Sequence, residues 1–307
     1  MSLPLSKMQP HPIERTTAYT NFVSRPGVRN PRALRTALQR MLRSCAPAAI
    51  DELSGIHLEH GVGVLIGEGY SFSYIDRSMR ALKAFYNWAL RNGLCTSNPC
   101  EGVAVPKSRE GSDPIVVPEP LLAKCQGWLV AEGNGSVEDI LMWAFFRAGC
   151  RVSEPCAVRK RHISIDPSNK TWTCWVGWKT KPRKIKMPQW AYRYAEAICA
   201  SKAEPNDLVL YLKGTRLDDS LSDEDQTRQI EVRTKNARVR LDEIQRVALG
   251  EIHFNPKDMR STFATVALRA NPMQWLEVAQ HLGHSPQVLM DKYAALLRSA
   301  DFSSVMG

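Results

Sequence analysis

The chain has 307 residues, enough for two domains and at least one large core, and its 41 Lys and Arg against 31 Asp and Glu give a net charge of +10 and a pI near 9.3. That excess suits a polyanionic partner such as nucleic acid or an anionic membrane, and composition alone fits a basic but ordinary enzyme as well. No apolar run is long enough to cross a bilayer, the start MSLPLSKMQPHPIERT lacks the apolar block of a signal peptide, and the eight cysteines show no Cys-x-x-Cys pair and no metal spacing with histidine. A soluble cytoplasmic protein with reduced, mostly buried thiols, no membrane contact and no metal is therefore expected.

Residues 1–30 hold scattered prolines and charges without periodicity and are expected to form a flexible N-terminal arm. From Pro31 the pattern turns helical, with Leu34, Leu38, Met41 and Leu42 on one face. A second helix runs up to Ile66, although Gly61 and Gly63 weaken it. The strongest periodicity lies at 73–92, where Ile75, Met79, Leu82, Tyr86 and Ala89 follow one another at steps of four and three before Gly93 stops the helix. Arg77, Arg80, Lys83 and Arg91 occupy its other face and part of it suits phosphates, while a solvated surface is the simpler account of any one of them. Residues 31–104 thus read as one all-helical domain. Residues 105–117, with Pro, Gly, Ser and charge but no periodicity, read as a linker to a second domain at 118–307.

In the second domain, residues 137–147 (VEDILMWAFFR) are apolar nearly all round and predict a buried helix closed by Gly149. Arg151 and Glu154 follow at once, with Pro155 acceptable only inside the first turn of whatever helix comes next. Residues 162–165, 171–176 and 183–187 alternate β-branched and aromatic residues as three short strands. The turn between the last two is basic, with Lys179, Lys181, Arg183 and Lys184, and in isolation reads as an exposed loop able to meet DNA. Helices are expected at 189–203 and 227–247, with an acidic surface loop at 218–225 between them.

The C-terminal stretch has three helix starts of one kind, Asn255-Pro256, Asn271-Pro272 and Ser285-Pro286, each a capping side chain before a proline whose missing N–H costs nothing there. Trp275, Val278, Ala279 and Leu282 form a core stripe ended by Gly283. Lys257 and Arg260 share a helix face, His284 sits in a tight junction, and Tyr293 follows nine residues later. Two cations, an imidazole and a phenol, joined by Arg151 and the hairpin lysines, suit phosphoryl transfer without a metal. Guanidinium forks bind nonbridging phosphate oxygens and offset the charge of a phosphorane. A phenol with pKa about 10 becomes a nucleophile in a strong cationic field, and a lysine can protonate the departing 5′ oxygen. A phosphotyrosine bond keeps the energy of the broken phosphodiester, so no cofactor is needed.

The ordered set Lys257-Asp258-Met259-Arg260, Leu282-Gly283-His284 and Tyr293 resembles the C-terminal motif of the tyrosine recombinase (phage integrase) family. Gly149-Cys150-Arg151-Val152-Ser153-Glu154 is similar to that family's first arginine box, with Pro155 in place of the usual leucine, and Lys257 stands where most members have histidine. The segment 73–107, with its Asn98-Pro99 exit, looks like the end of the family's helical core-binding domain. The resemblance implies a mainly α fold with a small β-sheet, an all-helical N-terminal core-binding domain and a mixed α/β catalytic domain. It implies a site-specific DNA recombinase in which Arg151, Arg260 and His284 bind or activate the scissile phosphate and Glu154 steadies the fold. Lys179 with Thr180 matches the general-acid lysine best, with Lys181 the alternative, and Tyr293 forms a 3′-phosphotyrosyl intermediate. Arg77, Arg80, Lys83, Lys181, Arg183 and Lys184 are the expected DNA contacts. The implied partners are a double-stranded recombination site, three further protomers in a tetramer on two duplexes, and accessory DNA-bending or directionality proteins on a bacterial nucleoid. The apolar tail residues Phe302, Val305 and Met306 would dock on a neighbouring protomer. A type IB topoisomerase-like enzyme and a catalytically inactive DNA-binding regulator of the same fold are the alternatives.

Overall fold

The computed structural model of the chain describes residues 9–28, 30–105, 114–178, 181–210, 212 and 222–291, and its contacts divide it into two units, Met1–Gly111 and Ser112–Gly307. Lys179, Tyr293 and the tail residues Phe302, Val305 and Met306 lie outside the described residues. The fold is mainly helical with one small antiparallel sheet. Among the described residues no helix is long and apolar enough to cross a membrane.

The first unit closes around the apolar stripe that the sequence places on its strongest helix. That helix, α4 (Phe72–Arg91), buries Ile75, Met79, Leu82, Tyr86 and Ala89 against α2 (Pro31–Ser44). Asn30 caps α2 by accepting the Ala33 N–H at 2.9 Å, with Pro31 in the first helical position where no N–H is missed. Gly61 sits inside α3 (Gly55–Gly67), where its helix propensity argues against it, because α3 passes so close to α2 that a Cβ would lie 2.7 Å from Cys45 Sγ. Asn98 ties down the exit, donating to Asn87 Oδ1 at 2.7 Å and accepting the Cys100 N–H at 2.9 Å.

The expected N-terminal arm is largely folded. Residues Pro12–Arg15 form a 3-10 turn and Thr17–Ser24 form α1, which sends Ile13, Tyr19, Phe22 and Val23 into the same core. Phe22 meets Phe85 edge-on at 5.3 Å. Glu14 secures the turn through a two-pronged pair with Arg43 of α2, at 2.7 and 2.6 Å, and accepts from Gln39 at 3.0 Å. The apolar spacing 19, 22, 23 is helical, but it spans little more than one turn and gives too short a period to see.

In the second unit α6 (Val137–Arg147) is the central rod, with every residue from Ile140 to Phe146 buried. At roughly 1.5–3 kcal/mol for each large apolar side chain, this run alone commits the chain to a core around it. Ser136 and Asp139 form a reciprocal cap at its start. Around it lie α5 (Glu119–Val130), α7 (Tyr192–Ser201), the 27-residue α8 (Asp223–Leu249) and α9 (Pro256–Ala270). The acidic residues Asp223, Glu224 and Asp225, expected in a loop, are the first turn of α8. Ser222 caps it, and the positive end of the helix favours carboxylates. Strands β1 (Ile163–Asp166), β2 (Thr171–Val176) and β3 (Arg183–Lys186) form the antiparallel sheet in order β1-β2-β3. Cys174 opposite Ile185 and Val176 opposite Arg183 face inward, whereas Trp175 opposite Lys184 faces out.

The buried amide of Gln245 turns the chain from α8 into α9, accepting the His253 and Phe254 N–H groups at 3.0 Å each and donating to Phe254 O at 2.9 Å. Asn255 and Asp258 then cap α9 reciprocally. After a 3-10 turn at Pro272–Gln274 comes α10 (Trp275–Leu282), whose Val278, Ala279 and Leu282 join Ala264, Leu268 and Leu289 in a satellite core. Helix resumes at 286–291 with Ser285 as its cap.

Candidate phosphate-binding site

The site is organised by the C-terminal end of α10. The last carbonyls of a helix have no partner within it and carry the negative end of the helix dipole. Here three of them in a row are taken by arginines. His281 O accepts Arg183 Nε at 2.6 Å, Leu282 O accepts Arg260 Nη2 and, at 3.4 Å, Arg151 Nη1, and Gly283 O accepts Arg151 Nη2 at 3.1 Å. Gly283 is in the left-handed conformation (φ +62°), which ends the helix without the strain a Cβ would bring, and a Cβ there would also lie 3.0 Å from Arg183 Nη1.

A second left-handed glycine brings Arg151 to this place. Gly149 (φ +75°) ends α6 under Phe263 and Leu282, both about 3 Å from where a Cβ would be. Its carbonyl accepts Arg260 Nη1 at 2.7 Å. His281, stacked on Phe263 at 4.7 Å, shares a 2.9 Å hydrogen bond with Ala148 O and fastens α10 to the same turn. Burial pushes its pKa down, which favours a neutral ring.

Among the described residues Glu154 is the carboxylate at the centre. Oε1 accepts from Arg183 Nη1 at 2.7 Å and from Arg151 Nη1 at 3.1 Å, and Oε2 accepts from Arg183 Nη2 at 3.0 Å and the Arg151 backbone N–H at 2.8 Å. Burial alone would raise its pKa. The Arg183 hydrogen bonds and charge outweigh burial and hold the carboxyl below its usual range. The following 3-10 turn, Pro155–Ala157, starts at Pro155 in a first-turn position, and Arg233 of α8, itself buried, donates to Cys156 O at 2.8 Å behind it.

Arg260 is buried, and desolvation followed by repulsion from Arg151 pushes its pKa down to about 10, far enough above neutral for it to stay charged. Its Nη2 is 2.9 Å from His284 Nε2. An arginine only donates, so Nε2 is the accepting nitrogen and the ring is neutral, with its proton on Nδ1. Three guanidinium charges against one carboxylate leave an excess of two positive charges, which makes the cluster a receptor for an anion.

Arg151, Arg260 and His284 thus come together. Lys257 is exposed on the first turn of α9, its backbone N–H held by Asn255 Oδ1 at 2.8 Å. Lys181 and Lys184 are exposed on the hairpin. In the first unit Arg77, Arg80 and Lys83 line the exposed face of α4, Arg77 over the Tyr74 ring at 5.0 Å and Arg80 paired with Asp76. Arg183 departs from its expected place among the DNA contacts. Its side chain is 11 % exposed and turned inward onto Glu154 and His281 O. Strand alternation carried the signal, since Arg183 shares a face with buried Ile185 and pairs with buried Val176 while Lys184 and Lys186 point out. The carbonyl row of α10 and the anchoring role of His281 had no signal in the sequence.

No protein-family profile matches the chain. The tyrosine recombinase XerC of Bacillus pumilus is 26 % identical over 219 residues, covering 71 % of this chain and 68 % of its own length. The tyrosine recombinase XerC of Ralstonia pickettii is 25 % identical over 286 residues, covering 84 % and 80 %. Among solved structures, the XerH site-specific recombinase bound to its palindromic difH substrate has a TM-score of 0.67 at 14 % identity, covering 90 % of this chain and 79 % of that one. The Tn1549 transposon integrase in complex with transposon right end DNA has a TM-score of 0.64 at 16 % identity, covering 94 % and 96 %. At these identities the structures speak for the fold. The curated relatives share a name, the folds agree, and Arg151, Arg260 and His284 gather at one helix end in the order of the motif, so the chain is similar to the tyrosine recombinases in sequence and in fold.

Proposed function

We propose that this chain is a site-specific DNA recombinase that cleaves and rejoins DNA through a 3′-phosphotyrosyl intermediate. The observation that carries the reading is the excess positive charge of Arg151 and Arg260 at the end of α10, beside His284 and, among the described residues, with Glu154 as the carboxylate they meet. In this reading the two arginines turn fork N–H groups onto the nonbridging oxygens of the scissile phosphate. That exchange frees His284 Nε2 from Arg260, and once the ring proton moves from Nδ1 to Nε2 the imidazole donates to a phosphate oxygen as well. Tyr293 loses its phenolic proton to solvent in the cationic field, its Oη attacks phosphorus, the P–O5′ bond breaks, and the 5′ oxygen leaves with a proton from Lys179 or Lys181. Lys257 adds a fixed positive charge. The phosphotyrosine is then attacked by the 5′ hydroxyl of a partner strand, which restores the diester and the tyrosine. The basic hairpin residues Lys181 and Lys184 and, in the first unit, the α4 face with Arg77, Arg80 and Lys83 would neutralise backbone phosphates.

Residues 31–104 serve here as the core-binding domain and 118–307 as the catalytic domain. The working unit is four protomers on two duplexes, acting in the cytoplasm on nucleoid DNA, with accessory DNA-bending or directionality proteins as compatible partners. Charge composition and the names of the curated relatives support the DNA substrate. The test begins by selecting bound duplexes from a genomic or random DNA pool and building a nicked suicide substrate from the winner. The wild-type chain should form a denaturant-resistant protein–DNA adduct, and Tyr293→Phe should bind the same DNA without forming it. An adduct in the Phe variant would remove Tyr293 from the nucleophile's role. Relaxation of supercoiled DNA without any sequence requirement would favour a topoisomerase instead.

A further inference from the structure

Arg183 has no part in the chemistry above, yet it makes the shortest contact to the Glu154 carboxylate. It reaches Glu154 Oε1 at 2.7 Å, against 3.1 Å from Arg151, and closes the second oxygen at 3.0 Å. Its Nε–H goes to His281 O at 2.6 Å, and its guanidinium lies over the bare Cα of Gly283. One side chain on β3 therefore grips the arginine box and the end of α10 at once.

We propose that Arg183 is a positioning residue for strand transfer: it satisfies the buried Glu154 carboxylate so that the Arg151 fork stays available to the scissile phosphate, and it fixes the hairpin strand to the Leu282–His284 loop. This rests on the recombinase reading. The Glu154 side chain is wholly enclosed, so its charge must be met by partners inside the protein. With Arg183 present the carboxylate accepts from two guanidinium groups and the Arg151 backbone N–H. With Arg183 gone, the cation beside it is Arg151, whose side chain is 31 % exposed and has room to turn. A buried carboxylate draws such an arginine into a two-pronged pair, the geometry the phosphate needs from it. Half of the excess positive charge facing the phosphorane would vanish as well. Since Arg183 faces inward, it displaces no counterion when DNA binds.

The deciding experiment is single-turnover cleavage of the selected suicide substrate by Arg183→Met, Arg183→Lys, and Arg183→Met combined with Glu154→Gln. Arg183→Met should slow cleavage about 100-fold or more, as for loss of charge stabilisation at a phosphorane, with DNA affinity within about threefold and the salt dependence of binding unchanged. Adding Glu154→Gln should restore at least about tenfold, because a neutral amide no longer captures Arg151. Arg183→Lys, which keeps the charge but has no fork, should fall between wild type and Arg183→Met and covers the case in which Arg183→Met does not fold. A double variant no faster than Arg183→Met makes the role merely structural and overturns the proposal, as does wild-type cleavage by Arg183→Lys. A salt slope lowered by about one makes Arg183 a DNA contact. Absence of cleavage by the wild-type chain on every selected duplex would bring down the recombinase reading itself, an outcome distinct from failure of the rescue.

Discussion

Arg260→Met separates what this arginine does for the fold from what it does for the reaction. Holding its charge in a buried site next to Arg151 lowers its pKa from the ordinary arginine value to about 10, an unfavourable contribution of about 3 kcal/mol to the folded state at neutral pH. Methionine removes that cost and fills much of the same space. Against this, Gly149 O and Leu282 O lose donors, at about 1–3 kcal/mol for each buried group left unmet, and Leu282 O still accepts from Arg151 at 3.4 Å. The opposing effects are of equal size, so urea unfolding should place Arg260→Met within about 2 kcal/mol of wild type. Cleavage has no such compensation. Removing a guanidinium that offsets developing charge on a transferring phosphoryl group should slow single-turnover cleavage by about 10³- to 10⁵-fold. A variant more than about 4 kcal/mol less stable would mean that Arg260 is mainly a strut between Gly149 and α10, and cleavage within tenfold of wild type would remove it from the phosphate site.

The remaining predictions follow from charges placed differently. Burial alone would raise the pKa of Glu14, but the Arg43 hydrogen bonds outweigh it and hold the carboxyl below its usual range. Its stabilisation is therefore in place above the unfolded carboxylate pKa of about 4.3 and is lost as pH falls through the lower folded value. Glu14→Gln should destabilise the first unit by about 1–3 kcal/mol at pH 7 and much less at pH 3 in urea titrations; a gap that does not close with pH would refute the pairing argument. Lys257 is exposed, so Lys257→Ala should leave stability within about 0.5 kcal/mol while slowing cleavage about 10- to 1000-fold. Lys257→Arg should keep most activity. Unchanged cleavage in the alanine variant would make Lys257 an ordinary surface lysine.

The parts of this protein that depend on neighbours along the chain could be read from the chain. The stripe from Ile75 to Ala89, the all-apolar α6, the three strands and the caps at Asn255, Asn271 and Ser285 follow from periodicity, burial and local hydrogen bonds. So did the order of Arg151, Lys257, Arg260 and His284, which needs only residue types at fixed spacing. Tertiary structure decided which cations are offered to a ligand and which are consumed within the fold. Arg183 and Lys184 are adjacent and chemically alike, yet one meets a carboxylate 29 residues away while the other stays exposed. Arg151 finds Gly283 O across 132 residues. A helical or strand period extends over a few residues and cannot carry that information. The free carbonyls at the end of α10 and the buried charge of Glu154 must be satisfied by whatever donors the fold brings within about 3 Å, and the packing of α6, α9 and β3 around them makes those donors arginines.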